Sequence, residues 1–239
     1  MRKQPVWIHL AKRELAAFYS GPVAYIVAAL FLAFSGFLFF STFFLINRAE
    51  LRNFFSMLPI LFAFFIPALT MRLFSEEMRS GSLETLMTLP VTPLDAVAGK
   101  FAAACISAAG MLVPTLVYTG TIVYLGSPDP GPLVGGYLGS LFLAAAFSAI
   151  GVFASSLTRN QIVAFFTAFS LCMVLALIDK FLVFLPVPVV GLLDFVSAGR
   201  HFESIARGII DSRDLVYFAS ITVLFLGLTV RALDAGRDA

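Results

Sequence analysis

The chain has 239 residues, of which 60% are hydrophobic and only 13% charged, with 27 Phe, a balance that excludes an ordinary soluble protein and marks a polytopic membrane protein. Its net charge of +2 is small and spread out, with no basic stripe or aromatic ladder, which argues against nucleic acid as a partner. The two cysteines, Cys105 and Cys172, lie far apart inside apolar runs, so they form neither a metal-ligand spacing nor a disulfide framework and read as small core residues.

About twenty residues precede the first apolar run, and that run is too long for the hydrophobic region of a cleavable signal, so the N-terminus is expected to stay attached. Within those residues Trp7, Leu10, Ala11, Leu15 and Phe18 share one helical face, with Lys3, His9, Lys12 and Arg13 mostly off it. The pattern predicts an elbow helix over 5–19 that lies in the membrane interface, in contact with lipid, and leads into the first span. The first run, 21–46, carries about fifteen Leu, Ile, Val or Phe residues and no charge, worth several kcal/mol in favour of spanning. Similar runs at about 54–71, 97–125, 133–157, 162–178 and 215–230 are each near or above the length that a hydrocarbon core about 30 Å thick requires. The expected fold is therefore all-α, a single transmembrane domain over 1–239 with six spanning helices.

Between the second and third runs lies Arg72-Leu-Phe-Ser-Glu-Glu-Met-Arg-Ser-Gly-Ser-Leu-Glu-Thr-Leu-Met-Thr-Leu-Pro-Val-Thr-Pro-Leu-Asp95, the densest run of charge in the N-terminal half. Leu83, Leu86 and Met87 fall at i, i+3 and i+4, Ser82 stands where an N-cap would, and Glu84 lies near the positive helix end, so a short amphipathic helix within 75–90 is expected. Pro90 ends it. Thr92-Pro93-Leu94-Asp95 then starts the next helix with a capping hydroxyl, a proline in the first helical position and a carboxylate two residues later. A short helix between two spans suits a surface that grips a partner, and the same pattern also fits a plain polar connection on the membrane surface.

Farther along, Ser-Pro-Asp-Pro-Gly-Pro at 127–132 reads as a turn, and Thr158-Arg-Asn-Gln161 reads as a capping box that opens the fifth span. In the fourth span Gly136, Ser140, Ala144 and Ser148 recur every four residues, a ladder of small side chains that lets two helix backbones approach closely, within the chain or at a subunit seam. Phe181 to Leu193 is apolar but only about thirteen residues long and contains Pro186 and Pro188, as expected of a re-entrant or interfacial piece rather than a crossing. Phe202, Ile205, Ile209 and Ile210 make an amphipathic pattern among His201, Glu203 and Arg207, so 181–213 is expected to lie outside and cap the bundle, with His201 and Glu203 solvated. With the N-terminus cytoplasmic, ten Lys and Arg fall inside and six outside (Arg48, Arg52, Lys180, Arg200, Arg207 and Arg213). That bias follows the positive-inside tendency and puts both termini and the 75–92 loop in the cytoplasm. A seventh crossing at 181–193 would satisfy the charges equally well, so its shortness and its two prolines carry the six-span expectation.

Catalytic chemistry is not indicated. His9 and His201 fall on opposite sides of the membrane in this topology, so they make no metal site or proton relay, and no cofactor is expected. The Gly99-Lys100 pair is followed by Phe101 and has Leu94 where a phosphate-binding loop needs its upstream glycine, so ATP hydrolysis by that route is excluded. Asp179-Lys180 sits at a span end as a local pair rather than deep in a helix. Pro59, Pro67 and Pro114 are candidate helix breaks, but kinks alone do not make a binding site.

An interfacial elbow, six spans, the block from Arg72 to Thr92, and the external Phe195-Val-Ser-Ala-Gly-Arg-His-Phe-Glu-Ser-Ile-Ala-Arg-Gly-Ile-Ile-Asp211 together resemble the permeases of type-2 ABC exporters. Within them the chain is most similar to the branch that includes the gliding-motility permeases, on Glu-Glu-x-Arg-Ser-Gly-Ser-Leu-Glu-Thr-Leu followed by Leu-Pro-Val-Thr. The resemblance implies that the cytoplasmic helix is a coupling helix seated in a groove of a separate ATP-hydrolysing subunit. It assigns that contact to Glu76, Glu77, Arg79, Gly81, Glu84 and Leu86, with Leu83 and Met87 completing the apolar face. It also implies two permease copies, or a pair of related ones, in the bacterial inner membrane. Met78 and Met87 stand where the family pattern leads one to expect other residues. The competing reading is an ATP-independent channel or assembly scaffold, and a neighbouring reading frame encoding a soluble ATPase discriminates between them. One prediction follows from the topology. Alkaline phosphatase fused after Ala239 stays inactive in intact cells, and strong activity there would mean an odd number of crossings, with 181–193 as the extra one.

Overall fold

The computed structural model describes residues 5–46, 50–88, 91–126, 128–181, 191, 194–209 and 211–237, and among these the secondary structure is helical with no strand. The helices are α1 (Val6–Ser20), α2 (Pro22–Ile46), α3 (Arg52–Thr70), α4 (Ser75–Ser80), α5 (Ser82–Thr88), α6 (Pro93–Leu112), α7 (Leu116–Leu125), α8 (Pro130–Ser156), α9 (Gln161–Phe181), α10 (Ala198–Ala206) and α11 (Ser212–Arg237). Six segments are long and apolar enough to cross a membrane: Pro22–Ser41, Arg52–Ser80, Pro93–Leu125, Pro130–Ser156, Gln161–Phe181 and Ser212–Ala235. The protein is an all-α, multi-pass helix bundle. The expected re-entrant piece, with Pro186 and Pro188, falls almost wholly outside the described residues, as do the helix stop at Pro90, Lys3, Arg48, Ser127 and Ile210.

Several boundaries follow directly from side-chain chemistry. Thr92 Oγ1 accepts from the Asp95 amide at 3.1 Å and Asp95 Oδ2 accepts from the Thr92 amide at 3.4 Å, a reciprocal cap with Pro93 in the first helical position. At the start of α9 the expected Thr158/Gln161 box does not form. Asn160 Oδ1 caps the helix instead, accepting from the Ile162 amide at 2.9 Å, while Thr158 Oγ1 accepts from the Asn160 amide at 3.1 Å. α3 runs unbroken through Pro59 and Pro67. Pro114, by contrast, turns the third span into a 3-10 segment over Val113–Thr115, because it has no amide proton to continue the ladder. Around that break Thr115 Oγ1 donates to the Leu112 carbonyl at 2.6 Å and the Tyr137 hydroxyl donates to the Thr115 carbonyl at 2.9 Å.

The single helix expected over 75–90 is two. Gly81 stands between α4 and α5 at φ 74°, a left-handed conformation that closes a helix C-terminus and that glycine adopts without steric cost. Ser82 is therefore the first residue of α5 rather than its N-cap, and its hydroxyl meets Ser80 Oγ at 2.9 Å.

α8 is the hub, packing against α3, α6, α9, α10 and α11. It is the most enclosed span, with 72% of its most apolar stretch buried, whereas the last span has 11%. Gly136, Ser140, Ala144 and Ser148 are all buried inside the bundle. A Cβ on Gly136 would overlap the Phe55 ring, one on Gly151 would overlap the Thr70 side chain, and one on Gly135 would overlap the Ile205 carbonyl. Aromatic rings fill the remaining core: Phe31 meets Phe65 edge-on at 5.5 Å, and Tyr118 stacks on Phe39 at 4.9 Å. Gly136→Ala is expected to push Phe55 aside and destabilise the bundle by ~1–3 kcal/mol, read as a lower Tm in detergent. Gly120→Ala, with no atom near the added Cβ, leaves Tm unchanged or slightly raised.

Candidate functional site

The charged block between the second and third spans forms a compact handle at one end of the bundle. After Thr70 the chain turns so that Leu73 and Phe74 point back inward, where they pack with Val97, Ala104, Val152 and Leu233. Ser75 adds a hydrogen bond from its hydroxyl to the Met71 carbonyl. This burial fixes where α4 begins and how it leaves the bundle.

The elbow helix α1 lies directly across α6. A Cβ on Gly99 would sit 2.7 Å from Leu10 Cβ and 2.9 Å from the Trp7 carbonyl, so the two helices cross in backbone contact that only glycine permits. Leu10 also meets Leu86 and Ala96 in a small apolar cluster, with Leu83 and Val91 at its edge. α1 thus touches both the handle and the third span through Leu10 and Ala11, its two buried residues, while most of the helix stays exposed.

Next to that crossing is a network of four charges. Lys100, with only 2% of its side chain exposed, places Nζ 3.1 Å from Glu14 Oε1 and 3.0 Å from Glu77 Oε1. Arg13 bridges the same carboxylates from the exposed side, at 2.8 Å and 3.0 Å. The hydrogen bond to Glu14 and the two nearby carboxylate charges raise the Arg13 pKa against the opposing effect of burial. Lys100 Nζ also lies 5.0 Å from the centre of the Phe74 ring.

The expected contact residues therefore divide. Glu76, Arg79, Gly81 and Glu84 are exposed, and Glu76 is held by Arg72 at 2.8 Å and 3.1 Å. Glu77 turns inward to Lys100. The apolar face, expected to fill a partner's groove, is turned onto the chain's own elbow: Leu86 is 4% exposed and Leu83 is half-buried. The orientation follows from Leu10 and Ala96, which offer Leu86 an apolar seat that a helix read in isolation does not reveal. The Met87 side chain lies outside the described residues. The outward surface of α4 and α5 is consequently polar, with Ser80, Ser82, Thr85 and Thr88 beside the charged residues. Sequence reasoning missed Lys100, Glu14 and Arg13 as a unit. The available signal was a lysine in the run Ala-Val-Ala-Gly-Lys-Phe-Ala-Ala, an apolar helix face that only a buried counter-charge makes tenable.

At the opposite end of the bundle the histidine is not solvated as expected. His201 is 9% exposed, with Nδ1 2.6 Å from Asp214 Oδ1 and Nε2 3.0 Å from the Phe195 carbonyl, and its ring stacks on Tyr217 at 4.1 Å. Burial follows from α10 laying its apolar face on α8. Glu203 is half-buried rather than fully solvated, and the hydrogen bond from Arg207 lowers its carboxyl below the usual range. Asp179 pairs with its neighbour Lys180 at 2.7 Å. A cavity of about 780 Å³ opens at this end between Glu50, Arg52, Phe55, Asp129, Leu133 and Arg207. Among the described residues no three His, Cys, Asp or Glu come together as a metal site.

The chain matches the family described as ABC-2 family transporter protein over residues 33–230, from the middle of α2 through most of α11. Among curated proteins none matches it. Six apolar spans around a small-residue hub, a polar handle emerging between the second and third, and a family match over most of its length establish that this chain belongs to the ABC-2 family of transporter proteins, as a membrane permease component of an ABC transporter.

Proposed function

We propose that the protein is the transmembrane subunit of an ABC exporter, driven by a separate ATP-hydrolysing subunit that docks on α4 and α5. The observation that carries this reading is the exposed polar surface of Glu76, Arg79, Gly81 and Glu84 on two short helices whose apolar sides are fixed to the elbow and the third span. A handle can transmit force only if it is held rigidly at its base and gripped at its tip. The base is held here, and the tip presents both signs of charge to a partner. The chain carries no phosphate-binding loop of its own, since Gly99-Lys100 lies inside α6 against the elbow.

In this reading the handle and both termini face the cytoplasm, in accord with the ten-to-six charge bias, and the membrane is the bacterial inner membrane. A second copy, or a related permease, completes the translocation unit. That pairing rests on the family, since the exposed Phe34, Phe37, Phe166 and Val174 of α2 and α9 suit lipid as well as a second copy. The Glu-Glu-x-Arg-Ser-Gly-Ser-Leu-Glu-Thr-Leu block supports a place near the gliding-motility branch of the family.

The docking assignment is tested by reversing the outward charges. Arg79→Glu with Glu84→Lys is expected to reach the membrane at normal abundance yet lose the ATPase on pull-down, because complementary charges on the partner then face like charge at a cost of several kcal/mol. Leu86→Asp behaves differently. It buries an unpaired carboxylate against Leu10 and Ala96, and low abundance is the expected result. If the charge-reversed protein keeps its ATPase, the handle is a polar connection and the docking role is wrong. A separate measurement concerns the motor itself. The purified chain is expected to show no ATP binding or hydrolysis, and activity that survives removal of every contaminating ATPase would overturn the division into two subunits.

A further inference from the structure

We propose that Lys100 is a positioning residue for energy coupling: its ion pairs with Glu14 and Glu77 make the elbow, the handle and the third span move as one piece. The proposal rests on the reading of α4 and α5 as the ATPase-docking surface. Glu77 follows the exposed Glu76 but turns the opposite way, into the bundle. Its Oε1 lies 3.0 Å from Lys100 Nζ, while Glu14 of the elbow approaches the same nitrogen at 3.1 Å. Arg13 closes the arrangement from the solvent side at 2.8 Å and 3.0 Å. Two cations and two anions thus alternate, each carboxylate lying between two cations, and the net charge of the cluster is zero.

The same three elements also meet through apolar contacts, Leu10 with Leu86 and Ala96 and the glycine crossing at Gly99. Apolar surfaces tolerate sliding, because burial is not directional. The Lys100 ammonium does not, since it is buried and a shift of Glu14 or Glu77 away from it removes a counter-charge that water cannot replace there. A push on the outward face of α4 therefore enters α6 through Lys100, within the first turns of the third span, and the elbow travels with it. The apolar cluster does not supply that directional tie.

The decisive variant is the triple Glu14→Gln, Glu77→Gln, Lys100→Met, which removes the tie without leaving an unpaired buried charge; Glu77→Gln alone is the milder companion. Both are made with Cys105 and Cys172 replaced by alanine and with Tyr124→Cys, at the far end of α7, as a reporter. Each is reconstituted in nanodiscs with the ATPase subunit. In the parent complex, labelling of the reporter by a water-soluble maleimide is expected to change when ATP and vanadate are added. The triple variant is expected to retain the ATPase on pull-down and its KM for ATP, yet to lose that change, and Glu77→Gln loses part of it. A full labelling change in the triple variant overturns the proposal. So does loss of the ATPase from it, which would make the cluster part of docking, and so does a parent complex that shows no change. If the triple variant does not insert, Glu77→Gln decides, and either a full change or failed insertion there overturns the proposal. Failure of the underlying reading is recognised separately: Arg79→Glu with Glu84→Lys then leaves ATPase binding intact, and this proposal falls with it.

Discussion

Inside a bilayer the lipid tails around a helix are as apolar as its neighbours, so spans are held together by close packing rather than by expulsion of water. In this protein that packing is concentrated on α8. Gly135, Gly136 and Gly151 bring Ile205, Phe55 and Thr70 against its backbone, and α3, α6, α9, α10 and α11 all meet it. Each glycine contact fixes the axial position of another element. The cap α10 is seated by Gly135, the N-terminal part of α3 by Gly136 and its C-terminal end by Gly151. The arrangement of the handle depends on the last of these, because Thr70 immediately precedes the turn that buries Leu73 and Phe74.

At the handle end the organising interaction changes from packing to charge. Removing one partner from a buried pair costs about 3–5 kcal/mol, which is comparable with the stability of many whole domains. Lys100 is therefore tenable in its position only while Glu14 and Glu77 face it. The cluster specifies geometry more than it adds stability, since apolar residues of similar volume would pack as well. Its members come from three elements, the first of which is separated from the other two by the first and second spans, so it closes a long loop in the chain.

The spans were legible because their length and composition leave no other fold for them, and the capped start at Thr92 was legible because the whole cap lies within four consecutive residues. What depended on distant partners was not. α5 has a clear apolar stripe, but a stripe states only that something covers it; Leu10 and Ala96 turned out to be that cover. His201 looked solvated because Arg200 and Glu203 stand close to it in sequence, whereas Asp214 and Tyr217 reach it from the last span. The start of α9 failed for a smaller reason. Thr158 and Asn160 both have capping side chains, and the choice between them depends on where the preceding turn closes. Lys100 was passed over because a motif search treats a lysine after glycine as a phosphate ligand or nothing, while burial asks which carboxylates neutralise it.

The proline break in the third span has a mechanical consequence. Beside it the Leu112 carbonyl accepts from Thr115 and the Thr115 carbonyl from Tyr137 of α8, bonds that ease an irregular backbone in hydrocarbon. α6 has 20 residues and α7 has 10, which makes them rods of about 30 Å and 15 Å. The span is then two rods of unequal length that meet at a point tied to the hub by Tyr137. Under the proposed coupling, a tilt of the longer rod turns about that point, beside the hub, rather than about an end of the span.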